Sequence, residues 1–191
     1  MKNIILDALS ESIRVKEAFI NGHLDRIVQA AEMLATAAAS GHKILIFGNG
    51  GSAADAQHIA AEFVNRFRVE RQPLAALALT TDTSVITSIA NDYHFDEIFE
   101  KQVRALGKRG DIAVGISTSG NSRNVIRAVD AARKIGLLTI GLTGPGGKLA
   151  DLVDLNFAVD SRTTARIQES HILLGHMLCE LTDRILFPEK F

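Results

Sequence analysis

Five short runs of almost continuously apolar residues follow one another from residue 43 onward, and segments with helical spacing of apolar residues separate most of them. Continuous apolar strands that alternate with helices are typical of a parallel sheet covered on both faces. The pattern therefore predicts an α/β three-layer sandwich with a central five-stranded parallel sheet. The predicted strands are Lys43–Phe47, Leu74–Leu79, Ile112–Ile116, Leu137–Leu142 and Leu155–Val159, and the predicted helices cover 52–66, 83–106 with an interruption, 121–135, a short piece near 147–152 and 165–186.

The first 40 residues follow a helical pattern and precede the first predicted strand. Apolar positions such as Ile5, Leu9 and Ile13 recur every three to four residues, and 21–23 (Asn-Gly-His) interrupts the pattern, which predicts a helical hairpin or a bent helix. Helices ahead of a parallel sheet have no place inside it, so we expect this segment to pack outside, against another copy of the chain. The expected organisation is one domain, 1–191, in which 1–40 serves packing and oligomerisation and 41–191 forms the α/β core.

Composition and charge narrow the classes of function. The 21 basic and 22 acidic residues leave a formal net charge of -1, a balance that does not favour nucleic acid or an anionic membrane surface as a partner. No apolar run approaches the roughly 20 residues of a membrane span, and residues 1–20 lack the apolar core of a secretory signal. The single cysteine, Cys179, excludes a disulfide framework. The sequence thus predicts a soluble cytoplasmic protein with no nucleic-acid or membrane partner.

Two turns at the carboxyl ends of predicted strands have the composition of anion sites, and ligands of parallel α/β sheets bind at these ends. Gly48–Ser52 opens a helix whose free amides favour a phosphate. Alternatively, Ser52 only caps the helix and the glycines only make the turn. Ser117–Ser122 carries four hydroxyls, more than a cap requires, and predicts a phosphate cradle that needs no lysine or arginine. Because neither Gly48–Ser52 nor Gly141–Lys148 has the spacing of a nucleotide motif, we expect the phosphate on a substrate.

Polar residues on two predicted helices are candidates for chemistry. His58 and Glu62 are four residues apart, so they share one face of the helix that begins at the glycine turn, one to two turns from a bound anion. A solvated polar pair or a buried histidine is the alternative. In the last helix Gln168, His171 and His176 interrupt apolar positions, where a histidine is more often simply buried.

Three motifs together resemble one family over almost the whole chain. The strand–turn–helix stretch "GNGGSAADAQH", the turn "GISTSGNS" and the "RIQESH" of the last helix are similar to the sugar isomerase (SIS) domain family. Within it they are most similar to the isomerases that interconvert sedoheptulose 7-phosphate and D-glycero-D-manno-heptose 7-phosphate in bacterial heptose biosynthesis. The resemblance implies a flavodoxin-like fold and a homotetramer with active sites between subunits.

The resemblance also implies roles for individual residues. Glu62 and His176 match the acid–base pair, which would move a proton between adjacent carbons through an enediol. One zinc ion per subunit is implied at His58, Glu62, Gln168 and His176. Gln168 and His176 are roughly 12 Å apart along a helix, so both can reach one ion only from opposite sides or from different subunits. Substrate-binding positions are implied at Asn49, Gly50, Gly51, Ser52, Glu62, Asn91, Asp92, Ser117, Thr118, Ser119, Ser122 and Gln168.

Two alternatives stand beside this function. The stretches "NRFRVERQ", "KQVRALG" and "LFP" are similar to a non-catalytic adaptor of the same fold that associates with a replication initiator. That adaptor lacks the glutamate and the final histidine of the isomerases, whereas this chain has Glu62 and His176, which favours an enzyme. The second alternative is an SIS isomerase of another sugar phosphate. Ala165 stands where some isomerases have an aspartate, which leaves the orientation of the sugar by the last helix open.

Overall fold

The central sheet has five parallel strands, and the computed structural model describes the whole chain, residues 1–191. The strands pair in the order β2-β1-β3-β4-β5. After β1 the chain runs to one side of that strand to form β2, and it then crosses to the other side to form β3. The order therefore reverses between β1 and β3, which places a ligand crevice at their carboxyl ends. The strands are β1 Ile44–Gly48, β2 Ala76–Ala78, β3 Ile112–Ser117, β4 Leu138–Thr143 and β5 Leu155–Ala158.

Helices cover both faces of the sheet, so the predicted three-layer sandwich is confirmed. Successive strand residues point to opposite faces: Ile44 and Ile46 join one core with the first three helices and the last one, whereas Leu45 and Phe47 join a second core with the fifth and sixth helices. The helices are α1 Lys2–Asn21, α2 Leu24–Ala39, α3 Gly51–Val64, α4 Thr83–Asp92, α5 Ile98–Leu106, α6 Arg123–Ile135 and α7 Thr164–Leu186, with single 3₁₀ turns at Phe95–Glu97 and Pro188–Lys190.

Two predicted elements differ from the structure. The second strand covers only Ala76–Ala78 instead of Leu74–Leu79, because it lies at the sheet edge and pairs with β1 alone. The segment 147–152 forms consecutive turns and not a helix. Gly146 and Gly147 have positive φ values of 82° and 94°, which are incompatible with a right-handed helix, and the amide of Leu149 is bonded to Gly120.

The N-terminal hairpin packs on the outside of the sheet, as its position in the chain predicts. α1 contacts α7 and buries Val15 and Phe19, while Ile5, Leu9 and Ile13 remain 67%, 55% and 56% exposed. One face of α1 is thus packed and another face is apolar and uncovered. None of the helices combines the length and apolar content that crossing a bilayer requires.

Candidate active site

The first turn brings backbone amides to the crevice between β1 and β3. Gly50, with a φ of 56°, precedes α3, and no side chain caps the helix. Ser52 is 3% exposed and lies beneath the turn against Gly48. The alternative that Ser52 serves as the cap is therefore wrong. Asn49 is fixed by two hydrogen bonds of 2.9 and 2.8 Å exchanged with the side chain of Asn124 on α6, which ties the first turn to the element after β3.

The second turn gathers its hydroxyls at the amino end of α6. The Oγ atoms of Ser117 and Ser122 are 2.9 Å apart, and those of Ser117 and Ser119 are 3.4 Å apart. Ser122 occupies the N-cap position but makes no side-chain bond to the helix amides. Gly120 has a φ of 64°, and the backbone of Gly147 occupies the space where a side chain would lie. The hydroxyls are thus held together without capping α6, which is the arrangement expected of an anion cradle.

Three polar side chains from α3 and α7 converge below the first turn. Nε2 of His58 lies 3.1 Å from Oε1 of Glu62 and 3.1 Å from Nε2 of His176. The ring of Phe67 stacks on His176 at 5.3 Å between centroids and fixes its orientation. The side chains of His58 and Glu62 are 49% and 24% exposed. This cluster can exchange protons with a bound molecule, because its polar atoms face one another and solvent.

α3 and α7 run side by side, and their contacts place Gln168 away from this cluster. Gln168 packs on Gly51 at the start of α3, and Ile59 packs on Gly175 one residue before His176. Seven residues separate Gly51 from His58, roughly 10 Å along the helix. Gln168 therefore lies at the phosphate-turn end of the α3–α7 pair in this chain, and its role as a metal ligand stays a prediction.

Asn91 and Asp92 lie at the end of α4, and their side chains bond to each other rather than to the residues of the two turns. Both are exposed, and the amide of Asn91 donates a 2.8 Å hydrogen bond to the carboxylate of Asp92. None of the side chains of α4 is buried. Neither residue forms a hydrogen bond or ion pair with the turns or with the His58–Glu62–His176 cluster, so their substrate contacts stay a prediction.

Asp55 is a polar residue of the site that sequence reasoning missed. It lies three residues before His58 and four after Gly51, on the face of α3 that carries both. One of its carboxylate oxygens is buried without a hydrogen-bond partner. Burial raises the pKa of Asp55, and the charge of His58 acts in the opposite direction. The spacing from His58 was the only signal available in the sequence.

His171 is a buried structural residue, in line with the commoner interpretation of a histidine on an apolar helix. Its exposed fraction is 0%, and Nε2 lies 3.1 Å from the carbonyl oxygen of Thr143, to which it donates. Burial lowers the pKa of His171 to about 4, although the bond to Thr143 opposes the shift. The folded state therefore holds this ring neutral.

Acidification should destabilise the protein through His171. Its pKa in the fold is below the value of 6.5 for a free histidine, so the unfolded chain binds the proton first and stability falls as the pH drops from about 6.5 towards 4. Between pH 7 and pH 5 this one group should remove about 2 kcal/mol of unfolding free energy. Urea unfolding of wild type and His171→Gln measures the effect, because the variant should show a correspondingly shallower pH dependence. Parallel curves for the two proteins would refute it.

The His58–Glu62–His176 cluster has the donor set and spacing that zinc requires. The candidate ligand atoms of the three residues all lie within 4.8 Å of one another. Nitrogen ligands about 2.0–2.1 Å from a tetrahedral zinc are themselves roughly 3.3 Å apart, close to the 3.1 Å between the two imidazole nitrogens. Two imidazoles and a carboxylate are ordinary zinc ligands. The residues present therefore fit the ion.

The fold and the two turns define an α/β domain of the SIS class. The family model for the SIS domain matches residues 9–144, a range that contains both turns and all of α3. Several solved structures with 15–19% sequence identity share the fold, among them a sugar isomerase domain of an RpiR transcription factor from Sphaerobacter thermophilus, with a TM-score of 0.65.

Relatives with 40–59% sequence identity identify one group within the SIS class. The chain is 59% identical over 187 residues to phosphoheptose isomerase of Nitratidesulfovibrio vulgaris strain Hildenborough, covering 97% of this chain and 90% of the relative. The structure of phosphoheptose isomerase from Neisseria gonorrhoeae matches with a TM-score of 0.90 and 50% identity over 95% of this chain and 98% of that one. The corresponding structure from Francisella tularensis gives 0.92 and 40% over 95% and 97%. The chain therefore belongs to the SIS domain family and, within it, to the phosphoheptose isomerases, which confirms the resemblance of its motifs.

Proposed function

We propose that the protein converts sedoheptulose 7-phosphate to D-glycero-D-manno-heptose 7-phosphate through an enediol, in bacterial heptose biosynthesis. The observation that carries the proposal is the pairing of Glu62 and His176 through His58, on the helix that begins at the crevice between the two turns. Family membership supports the same reaction, since the relatives reported above are named for it.

The two turns would hold the substrate. We infer that the hydroxyls of Ser117, Thr118, Ser119 and Ser122 bind the phosphate, supported by the convergence of the serine Oγ atoms at the amino end of α6. Asn49, Gly50 and Gly51 would contact the sugar from the first turn, and Gln168 would contact it from α7. The phosphate lies at one end of the sugar and the reacting carbons at the other. Anchoring the phosphate holds these carbons in position, which lowers the entropic part of the activation barrier.

Glu62 and His176 would move the protons. Isomerisation needs one group to remove the carbon-bound proton and another to handle the proton of the adjacent hydroxyl, with their roles exchanged in the reverse direction. The Glu62 carboxylate oxygen and the His176 Nε2 atom flank the same His58 nitrogen. They are thus spaced to serve neighbouring carbons, and Phe67 keeps the imidazole of His176 from turning away.

We propose one zinc ion per subunit, held by His58, Glu62 and His176, with Gln168 of a neighbouring subunit as the fourth ligand, since Gln168 packs on Gly51 away from this cluster in its own chain. The fit of the three converging side chains supports the ion. When bound, zinc supplies a Lewis acid that polarises a carbonyl and its neighbouring hydroxyl. The neutral amide of Gln168 implies modest affinity.

We further propose a homotetramer with active sites between subunits. The exposed apolar face of α1, with Ile5, Leu9 and Ile13, is the kind of surface that an assembly covers. Asn91 and Asp92, which are exposed and bond only to each other in their own chain, would then serve the site of a neighbour. Light scattering should give a mass four times that of the 20.6 kDa chain, and the mass of a single chain would refute the assembly.

The first test is turnover of sedoheptulose 7-phosphate by metal-stripped and zinc-loaded protein. We expect turnover that zinc stimulates and that His176→Gln loses, together with a lower zinc content of the dialysed variant. His42→Gln is the matched control, since His42 lies beside Asp111 at the amino ends of β1 and β3, whereas the turns follow the carboxyl ends of these strands. Absence of turnover in zinc-loaded wild type would refute the heptose reaction. Other ketose phosphates, and then capture of a replication initiator, would test the two alternatives.

A further inference from the structure

A polar cleft of about 290 Å³ opens beside the hydroxyl turn. Thr118 and Ser119 line it from the hydroxyl turn, Ser161 and Arg162 line it from the loop between β5 and α7, and Thr164 lines it from the start of α7. The loop lies there because β5 runs parallel to β3, so the carboxyl ends of both strands are on the same side of the molecule. Two segments that are 43 residues apart in sequence, counted from Ser119 to Arg162, thus face one cleft.

Arg162 is the only charged residue that lines this cleft. Its guanidinium is exposed and has no ion pair or side-chain hydrogen bond. Arg166, on the first turn of α7, differs in this respect, because it is bonded to Glu169 and lies 3.6 Å from Glu11. Arg162 therefore stabilises no contact within the fold, whereas Arg166 connects α1 to α7.

We propose that Arg162 binds the phosphate of the substrate together with the hydroxyl turn. This inference rests on the proposed function. A sugar phosphate carries close to two negative charges at neutral pH, and the hydroxyls of Thr118 and Ser119 offer hydrogen bonds without charge. A guanidinium presents two parallel N–H donors that match phosphate oxygens. The hydroxyl turn Ser117–Ser122 itself contains no charged residue. Arg162, which follows Ser122 by 40 residues, supplies the positive charge from the loop before α7.

The position of Arg162 determines which kinetic constant it should affect. It lines the same cleft as Thr118 and Ser119, whereas the proton-transfer groups Glu62 and His176 lie on α3 and on the fourth turn of α7. Removing it should weaken binding of substrate and transition state equally, since the phosphate does not change during the reaction. The KM for sedoheptulose 7-phosphate should rise while kcat stays nearly constant.

The test compares Arg162→Gln, Arg162→Lys and wild type in turnover of sedoheptulose 7-phosphate and in competitive inhibition by inorganic phosphate. For Arg162→Gln we expect KM and the inhibition constant of phosphate both to rise by about five- to tenfold, with smaller increases for Arg162→Lys. Arg133→Gln makes the same change of charge at the other end of α6, remote from the cleft, and should match wild type. Raised ionic strength should increase KM in wild type more than in Arg162→Gln.

The outcomes separate this inference from the proposed function. If wild type turns over and Arg162→Gln leaves both constants unchanged, the inference is wrong and the function stands. A lower mass of Arg162→Gln in light scattering, with its phosphate inhibition unaltered, would also overturn it in favour of a subunit contact. If wild type itself fails to turn over, the proposed function falls, and the weaker binding of inorganic phosphate to Arg162→Gln in calorimetry would still support the contact with the anion.

Discussion

Glu62→Gln should lower turnover of sedoheptulose 7-phosphate by about 10²- to 10⁴-fold, the usual contribution of a positioned general acid or base. Glutamine keeps the length and shape of the side chain but cannot accept a proton at neutral pH. Oε1 of Glu62 lies 3.1 Å from His58 and the side chain is 24% exposed, so the loss should fall on chemistry rather than on folding. The measurement is kcat and KM for zinc-loaded protein.

Phosphate binding should survive the same substitution. The hydroxyl turn follows β3, whereas Glu62 lies about three helical turns into α3, so the dissociation constant of inorganic phosphate should change by less than about twofold. Glu70→Gln is the control, because Glu70 is 83% exposed and pairs only with Arg66. Zinc content is measured for both variants, so that a lost ligand is distinguished from a lost proton acceptor. Equal loss of phosphate binding and turnover in Glu62→Gln would contradict the catalytic role.

The sheet was predictable because each central strand is an uninterrupted run of apolar residues in the sequence. β1, β3 and β4 are buried along almost their whole length, and a strand buried on both faces must be apolar at every position. The rule that ligands bind at carboxyl ends then led to both turns, and the spacing of His58 and Glu62 placed two cluster members on one face of α3. The partnership of His58 with His176, 118 residues later, followed from the family resemblance and not from the local pattern.

The features that the sequence did not predict depend on contacts between segments that are distant in the chain. Gly146 and Gly147 permit the two positive φ angles that replace a helix there, but the path of the turn is set by its packing against the distant Gly120. Gln168 belongs to the motif "RIQESH", but its contact with Gly51 depends on how α7 packs along α3. Asp55 looks like any helix-surface carboxylate until the fold buries one of its oxygens.

Arg71 shows most clearly what a polar sequence conceals. It lies in the charged stretch 66–71, which resembles solvated loop, yet its side chain is 0% exposed. Nε donates a 2.8 Å hydrogen bond to Asp183 of α7. The two Nη atoms donate to the carbonyl oxygens of Glu62 and Phe63 in the last turn of α3, and the Phe63 oxygen also accepts from the amide of Leu74. Arg71 thus caps the helix that carries Glu62 and joins it to the helix that carries His176.

Arg71→Met should accordingly reduce the unfolding free energy by about 3–5 kcal/mol, the cost of breaking a buried ion pair from one side. Asp183 would keep a buried charge without its partner, and one of its oxygens already lacks a hydrogen bond. The carbonyl oxygen of Glu62, near the end of α3, would lose its donor as well. Because the chain has no tryptophan, unfolding in urea is followed by circular dichroism, at one protein concentration for all variants.

Two further variants show whether the buried charge causes the loss. Arg68→Met removes an arginine from the same loop whose 3.1 Å pair with Glu180 also reaches α7, but its side chain is 60% exposed, so it should cost at most about 1 kcal/mol. Arg71→Met with Asp183→Leu removes both charges and should recover part of the stability, since no unpaired carboxylate remains in the core. The recovery should be incomplete, because the carbonyl oxygen of Glu62 still lacks a donor, whereas that of Phe63 keeps the amide of Leu74. An Arg71→Met protein as stable as Arg68→Met would show that water reaches Asp183 and that the pair does not hold α3 against α7.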